Sequence, residues 1–310
     1  MVRPARSAFR NVGQNSNIAR LRPGLCALLY LVFLTGTMLA QKPTQPASEE
    51  HLALIARAAE RERAEFENPK PYRYQERLVW SWGAETRSVI ETSEGRAERI
   101  VLFNGEPLSP EQQAKQQHRL EKLLSDRDAL KNELKDQKNE TQRRIKVVEA
   151  FPKAFFFDYA GLEKGLLRFN FRPDPDFSPK DRETQMYRGM EGSVWIEPAQ
   201  ERIVRIAGIL VKDVSFGWGI VGHLNKGGIY EIAQTQLAPG KWRITLADVN
   251  LKGKTFLINS FRFQRKEINS RFQPVSSELT FQEAVQELLA APTEERPGKH
   301  LPLHKQNPHK

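Results

Sequence analysis

The chain has 310 residues, 39% of them hydrophobic and 28% charged, and its 48 lysines and arginines outnumber 38 acids for a net charge of +10. A single cysteine, Cys26, excludes an internal disulfide framework. The basic excess is spread thinly and forms no stripe interleaved with aromatics, which argues against a nucleic-acid partner.

The first forty residues read as an address. Arg3, Arg6, Arg10, Arg20 and Arg22 precede the uncharged run GLCALLYLVFLTGTMLA, Gly24 to Ala40, and no acid occurs before Glu49. A basic start, an apolar stretch and a small residue before a polar break describe a secretory signal peptide cut after Ala40. The expected compartment is the periplasm. The alternative is an inner-membrane anchor that stays uncut, although the run is short of the ~20 apolar residues a spanning helix needs. Cleavage would remove five arginines and Cys26, lowering the net charge from +10 to +5 and leaving stability to a packed core.

Gln41 to Ala47 (QKPTQPA) reads as a tether. Ser48 then caps a helix with Leu52, Ile55, Ala59 and Phe66 on one face, ended by Asn68-Pro69. YRYQERLVWSW, ETRSVIETS and RAERIVLF alternate in strand fashion around Gly83 and Gly95, a first meander closed by Asn104-Gly105. Ser109-Pro110-Glu111-Gln112 is a capping box with proline at the first helical position. It opens a helix to Ala150 in which 18 of 41 residues are charged, with a thin stripe of Leu120, Leu123, Leu130, Leu134, Ile145 and Val148. Such a segment either packs along the sheet by its stripe, as one helix or a hairpin, or projects as an arm that meets a partner.

KAFFFDY and GLLRFNFRP resume the strand pattern, and the loop PDPDFSPKDRETQMYRGM leads to a second meander. It reads GSVWIE, ERIVRIAGIL, a glycine-rich interruption, IYEIAQTQL, KWRITLADV, a turn NLKG and KTFLINSFRF. The polar QRKEINSRFQPVSS ends the sheet in this reading. Thr280 with Glu283 caps a last helix, FQEAVQELLAA, and residues 291–310 read as a disordered tail. Residues 48–290 are therefore expected to form one α+β domain. Its core is a strongly curved, unclosed antiparallel sheet with helices on its concave face and a helical insertion at 110–150.

Little in this pattern points to catalysis. Asp174 and Asp176 are the nearest approach to a paired carboxylate, and their proline-framed loop reads as solvated turn chemistry. A hydrolase built on them is the weakest of three functional readings. His223 has no partner at metal-ligand spacing, Ser193 and Ser215 lack a nucleophile-elbow context, and GWGIVG follows no strand-to-helix signal. No enzyme activity, cofactor or metal is expected. The aromatic strands say more. Both faces of KTFLINSFRF are partly apolar, so something covers the second face: helices, or an apolar ligand in a concavity. Trp218, which the flanking Gly217 and Gly219 place at a bend, together with Trp242, Phe256 and Ile258, is the candidate lining. The leading expectation is a periplasmic binding or carrier module for a lipid-like ligand such as an acyl chain. The alternative is a structural or sensory envelope protein that holds a partner through residues 110–150.

The segments VLFNGEPLSPEQ, AFFFDY, LRFNFRPDPDFSP, MEGSVWIEPAQERIVRIAGIL and VKDVSFGWGIVGHLNKGG resemble a family of uncharacterised exported bacterial proteins, over Tyr72 to Phe263. The order helix, strands, helix, strand meander also resembles, more distantly, the periplasmic lipoprotein-carrier architecture. That resemblance implies an unclosed barrel with helices plugging its concave side, and lipoprotein acyl chains as the sheltered ligand. The long helix from Pro110 departs from the carrier pattern.

Overall fold

The computed structural model describes residues 44–216, 222–255 and 259–292. The signal segment, Trp218, Phe256, Ile258 and most of the expected tail lie outside these residues. A two-residue strand, β1 (Gln45–Pro46), precedes helix α1 (Glu49–Glu67) and strands β2 (Tyr72–Trp80), β3 (Gly83–Glu91), β4 (Arg96–Phe103) and β5 (Glu106–Pro107). Helices α2 (Pro110–Ser125) and α3 (Arg127–Ala154) follow, then β6 (Phe155–Glu163), β7 (Leu166–Pro173) and a 3-10 segment, Glu183–Gly189. The second meander comprises β8 (Met190–Glu197), β9 (Arg202–Leu210), β10 (Val214–Phe216), β11 (Gly222–Leu224), β12 (Ile229–Ala238), β13 (Lys241–Thr255) and β14 (Asn259–Pro274), before α4 (Phe281–Ala290).

These strands form one unclosed antiparallel sheet, ordered β1-β6-β7-β8-β9-β12-β13-β14-β2-β3-β4-β5, with β10 and β11 joined to it through β13. Leu78, Val101 and Ile206 all belong to it, so the two meanders are one α+β sheet. Turn chemistry explains the tight reversals. Asn104 and Gly105 adopt φ of 53° and 87°, the left-handed pair that a two-residue hairpin demands.

Two expectations in the second half are corrected. NLKG is no turn: Asn250 to Gly253 continue β13 and pair with Phe261 to Gln264. Nor does the sheet end after Phe263. The polar stretch to Pro274 is the seam between the meanders, with Glu267 opposite Leu78 and Asn269 opposite Glu76. Its apolar alternation fails because the face it shares with β2 to β4 is held by ions. Glu76, fully buried, accepts from Arg96 Nη2 with both carboxylate oxygens at 3.0 Å, and Arg96 also reaches Glu98 at 2.6 Å. Burial pushes the Glu98 carboxyl up, but the Arg96 and Arg87 guanidiniums outweigh it and hold the group below its ordinary range.

Toward β6 the same face is apolar. Phe155, Phe157, Phe169, Phe171, Val194 and Ile196 pack there against Leu54, Ile55 and Ala58 of α1 and Phe151 of α3. Burying each large side chain stabilises by about 1.5–3 kcal/mol. The buried stripe of α1 is Leu54, Ile55, Ala58, Ala59 and Glu62, whereas Leu52 is exposed, so the expected face is rotated. The rotation brings Glu62 to Arg202, 3.2 Å away, and to Gln234, whose amide donates to it at 2.8 Å.

The segment expected as a helix over 110–150 is two helices and extends to Ala154. Asp126 breaks it: its backbone N–H closes α2 on the Lys122 carbonyl while its carboxylate caps the N–H groups of Asp128 and Ala129. Pro152 is accommodated in the last turn of α3. Neither helix projects as an arm. Leu120 and Leu123 of α2 join Phe281, Ala284, Val285 and Leu288 of α4 over Ile90 and Ala97, and Leu130 and Leu134 of α3 pack against this group. Ile90 and Ala97 face away from Tyr74 and Val89, so this second core covers the opposite face of the sheet.

The helices also finish the sheet's free edge. Along β4, Gln137 of α3 accepts from the Arg96 N–H at 2.7 Å and donates to the Arg96 carbonyl at 2.9 Å, as a neighbouring strand would. Arg119 of α2 donates to the Glu98 carbonyl, and Gln116 accepts from the Ile100 N–H at 3.4 Å. Exposed edge backbone invites pairing with other chains, and side chains can satisfy it instead. At the far edge β1 does this for β6, pairing Gln45 with Tyr159 and Pro46 with Asp158. Residues 45–47, read from sequence as tether, are therefore an edge strand, extended by the Ala47 N–H to the Phe157 carbonyl.

Candidate functional site

The face carrying α1 and α3 leaves a pocket of about 430 Å³ beside α3, bordered by the 3-10 segment, β10 and β11. That volume lies within the range typical of small-molecule sites, about 300–1,000 Å³. Its lining is Arg143, Arg182, Glu183, Met186, Phe216 and Gly222 to Leu224, and its surface is mainly apolar.

Local packing fixes each wall. Tyr187 is buried among Phe151, Phe155 and Met190, and its hydroxyl donates to the Val147 carbonyl at 2.7 Å, which pins the 3-10 segment to α3 and sets Met186 beside the pocket. Burial pushes the Tyr187 phenol up, keeping it a neutral donor. Lys146 to Asp181, at 2.6 Å, ties the preceding loop to the same helix. The start of β8 approaches β10 closely: a Cβ at Gly189 would lie 2.7 Å from Val214 and 2.9 Å from the Lys212 carbonyl.

Strand alternation sorts the β10–β11 side chains. Val214, Phe216 and Leu224 belong to the face that carries the core, while Ser215 and His223, a cross-strand pair, belong to the other. His223 Nδ1 lies 3.1 Å from Ser215 Oγ and Nε2 lies 3.3 Å from Asp213 Oδ2. The Lys226 backbone N–H, with help from His223, holds the Asp213 carboxyl below its ordinary range. This serine–histidine–aspartate chain escaped the sequence reading because no motif spacing marks it. Its histidine is part of the pocket lining, although Ser215 and His223 belong to the strand face opposite Phe216 and Leu224.

The cations come from separate elements. Arg143, on α3, has Glu140 as a loose partner at 3.7 Å. Arg182, which opens the 3-10 segment, makes no side-chain ion pair or hydrogen bond among the described residues. Glu183 supplies one carboxylate to the same lining.

Of the residues expected to line a cavity, Trp242 alone is described, and the pocket does not include it. It is buried at the start of β13, where its indole N–H donates to Gln200 Oε1 at 2.9 Å in the turn between β8 and β9. Asp174 and Asp176 form a local turn, the Asp176 N–H donating to Asp174 Oδ1 at 2.9 Å. Phe216 and Leu224 fall inside the stretch expected as a glycine-rich interruption, Val214 to Gly228, where β10 and β11 were not expected. Arg143 and Arg182 carried no distinguishing signal, since one sits in a charge-rich helix and the other in a polar loop.

Among the described residues no group of three or more histidines, cysteines and acids is placed to hold a metal, and no helix is long and apolar enough to cross a membrane. No protein-family model, no curated protein and no solved structure matches the chain.

Proposed function

We propose that this is a binding or carrier module for a lipid-like ligand or lipoprotein acyl chain, exported to the periplasm, and not a catalyst. The observation that carries the reading is the pocket of about 430 Å³ with Met186, Phe216 and Leu224 in its lining, beside a large sheet that does not close. Apolar surface left in water costs about 25 cal/mol per Å², so an apolar chain gains by filling such a space. The five arginines and the apolar run of the first forty residues support export. The rival reading, a partner held through residues 110–150, loses part of its motivation because α2 and α3 already serve the sheet edge and the second core.

The test is native mass spectrometry of protein gently extracted from cells, followed by titration of the stripped protein with a fluorescent fatty acid. A co-purifying lipid mass, or saturable uptake of the probe, is expected. Absence of both would overturn the reading and put partner binding in front.

A further inference from the structure

We infer that the pocket takes an amphiphile with an anionic head, whose carboxylate or phosphate is held by Arg143 and Arg182 while its apolar chain lies against Met186, Phe216 and Leu224. This rests on the binding reading above and specifies its ligand class. Arg143 of α3 and Arg182 at the start of the 3-10 segment both line one small, mainly apolar pocket. Both arginines are exposed, so their stems can lie along the apolar rim while their guanidiniums stay available to a ligand's head. Arg143 has only Glu140 at 3.7 Å, beyond hydrogen-bonding distance, and Arg182 has no side-chain partner among the described residues. Five directed donors on each guanidinium suit a planar carboxylate or a phosphate.

The nearby acids leave room for such a head. Glu140 is also paired with Arg144 at 2.9 Å, and Asp181 is taken by Lys146 at 2.6 Å. Glu183 alone adds negative charge to the lining, against two arginines, so the fixed charge of the lining is positive. Tyr187 on Val147 anchors the 3-10 segment to α3, so the backbones that carry Arg182 and Arg143 are tied to each other. A neutral acyl ester would use only the apolar wall. A fatty acid or an anionic phospholipid would use both.

The test compares three ligands on the stripped protein: a fluorescent fatty acid, the matching neutral fatty alcohol, and a short-chain phosphatidic acid as competitor. Wild type should bind the acid at least about tenfold more tightly than the alcohol, the discrimination expected of charge-assisted hydrogen bonds. The double variant Arg143→Gln, Arg182→Gln should lose that preference yet still bind the alcohol. Competition by phosphatidic acid exceeding that of unlabelled fatty acid would identify the head as phosphate, and the reverse as carboxylate. Equal binding of acid and alcohol by wild type, or an acid preference that survives in the double variant, would overturn the inference while leaving the binding module intact. Binding of neither probe would overturn both. Circular dichroism of the double variant should match wild type, since neither arginine is buried.

Discussion

Replacing Gln137 with alanine tests whether α3 closes the sheet edge. The amide now satisfies both the N–H and the carbonyl of Arg96, at 2.7 and 2.9 Å, at the turn between β3 and β4. Removing it strips partners from two backbone groups, and a buried orphan costs about 1–3 kcal/mol. Arg96 is only half-buried, so water recovers part of this and the expected loss is about 1–2 kcal/mol. For a domain of this size that is a melting-temperature drop of about 2–8 °C. Gln116→Ala serves as the internal control: its 3.4 Å contact with the Ile100 N–H is at the limit of a hydrogen bond and should be worth at most about 0.5 kcal/mol. Urea denaturation monitored by tryptophan fluorescence gives both values. The bared edge should also raise concentration-dependent association, visible by light scattering. A Gln137→Ala variant as stable as wild type, or no less stable than Gln116→Ala, would show that the strand-like contact contributes nothing and refute the edge argument.

Three further outcomes are expected. Arg202→Leu should cost about 3 kcal/mol at neutral pH, because it strands the buried Glu62 carboxylate. Burial already pushes the Glu62 carboxyl up, so this loss should shrink as the pH falls and the acid takes up a proton, which denaturation at pH 7 and pH 5 compares. Glu98 has the opposite sign: held below its ordinary 4.5, it contributes stability that is fully present above that pH and fades as the pH drops through its lowered value, so Glu98→Gln should flatten the acid limb of the stability curve. Gly208→Ala would set a Cβ 2.2 Å from the Glu191 carbonyl and 2.4 Å from the Tyr230 hydroxyl, and the resulting backbone shift should cost about 1–3 kcal/mol in thermal unfolding.

The first meander was legible almost to the residue, because Asn104-Gly105 and Gly83 punctuate clean alternation between Tyr72 and Phe103. The last helix was equally legible, its Thr280–Glu283 capping box being a purely local signal. The seam was not. Arg265, Glu267 and Asn269 look like a polar exit from the sheet, and only their partners across β2, far away in sequence, make them strand residues. The break at Asp126 was hidden because aspartate is tolerated on a solvated helix face and acts as a cap only once two helices diverge around it. The pocket was not legible. Phe216 and Leu224 lie in a stretch that reads as a glycine-rich interruption, and Met186, Arg143 and Arg182 come together only as the 3-10 segment folds back onto α3.

The pairing of β14 with β2 sets an order of events during synthesis. Glu76 meets Asn269, almost two hundred residues later in the chain, so β2 exists with one bare side until nearly the whole protein has been made. Until then β13 is bare as well, and the chain carries two unmatched strands separated by the helices that will guard β4. Long-range strand pairing of this kind is slow and leaves the unfinished chain open to pairing with its neighbours. A chain shortened before Asn259 should therefore collect as aggregates, with neither meander surviving as a small folded unit, and the last sixth of the sequence acts as the fastener of the first meander.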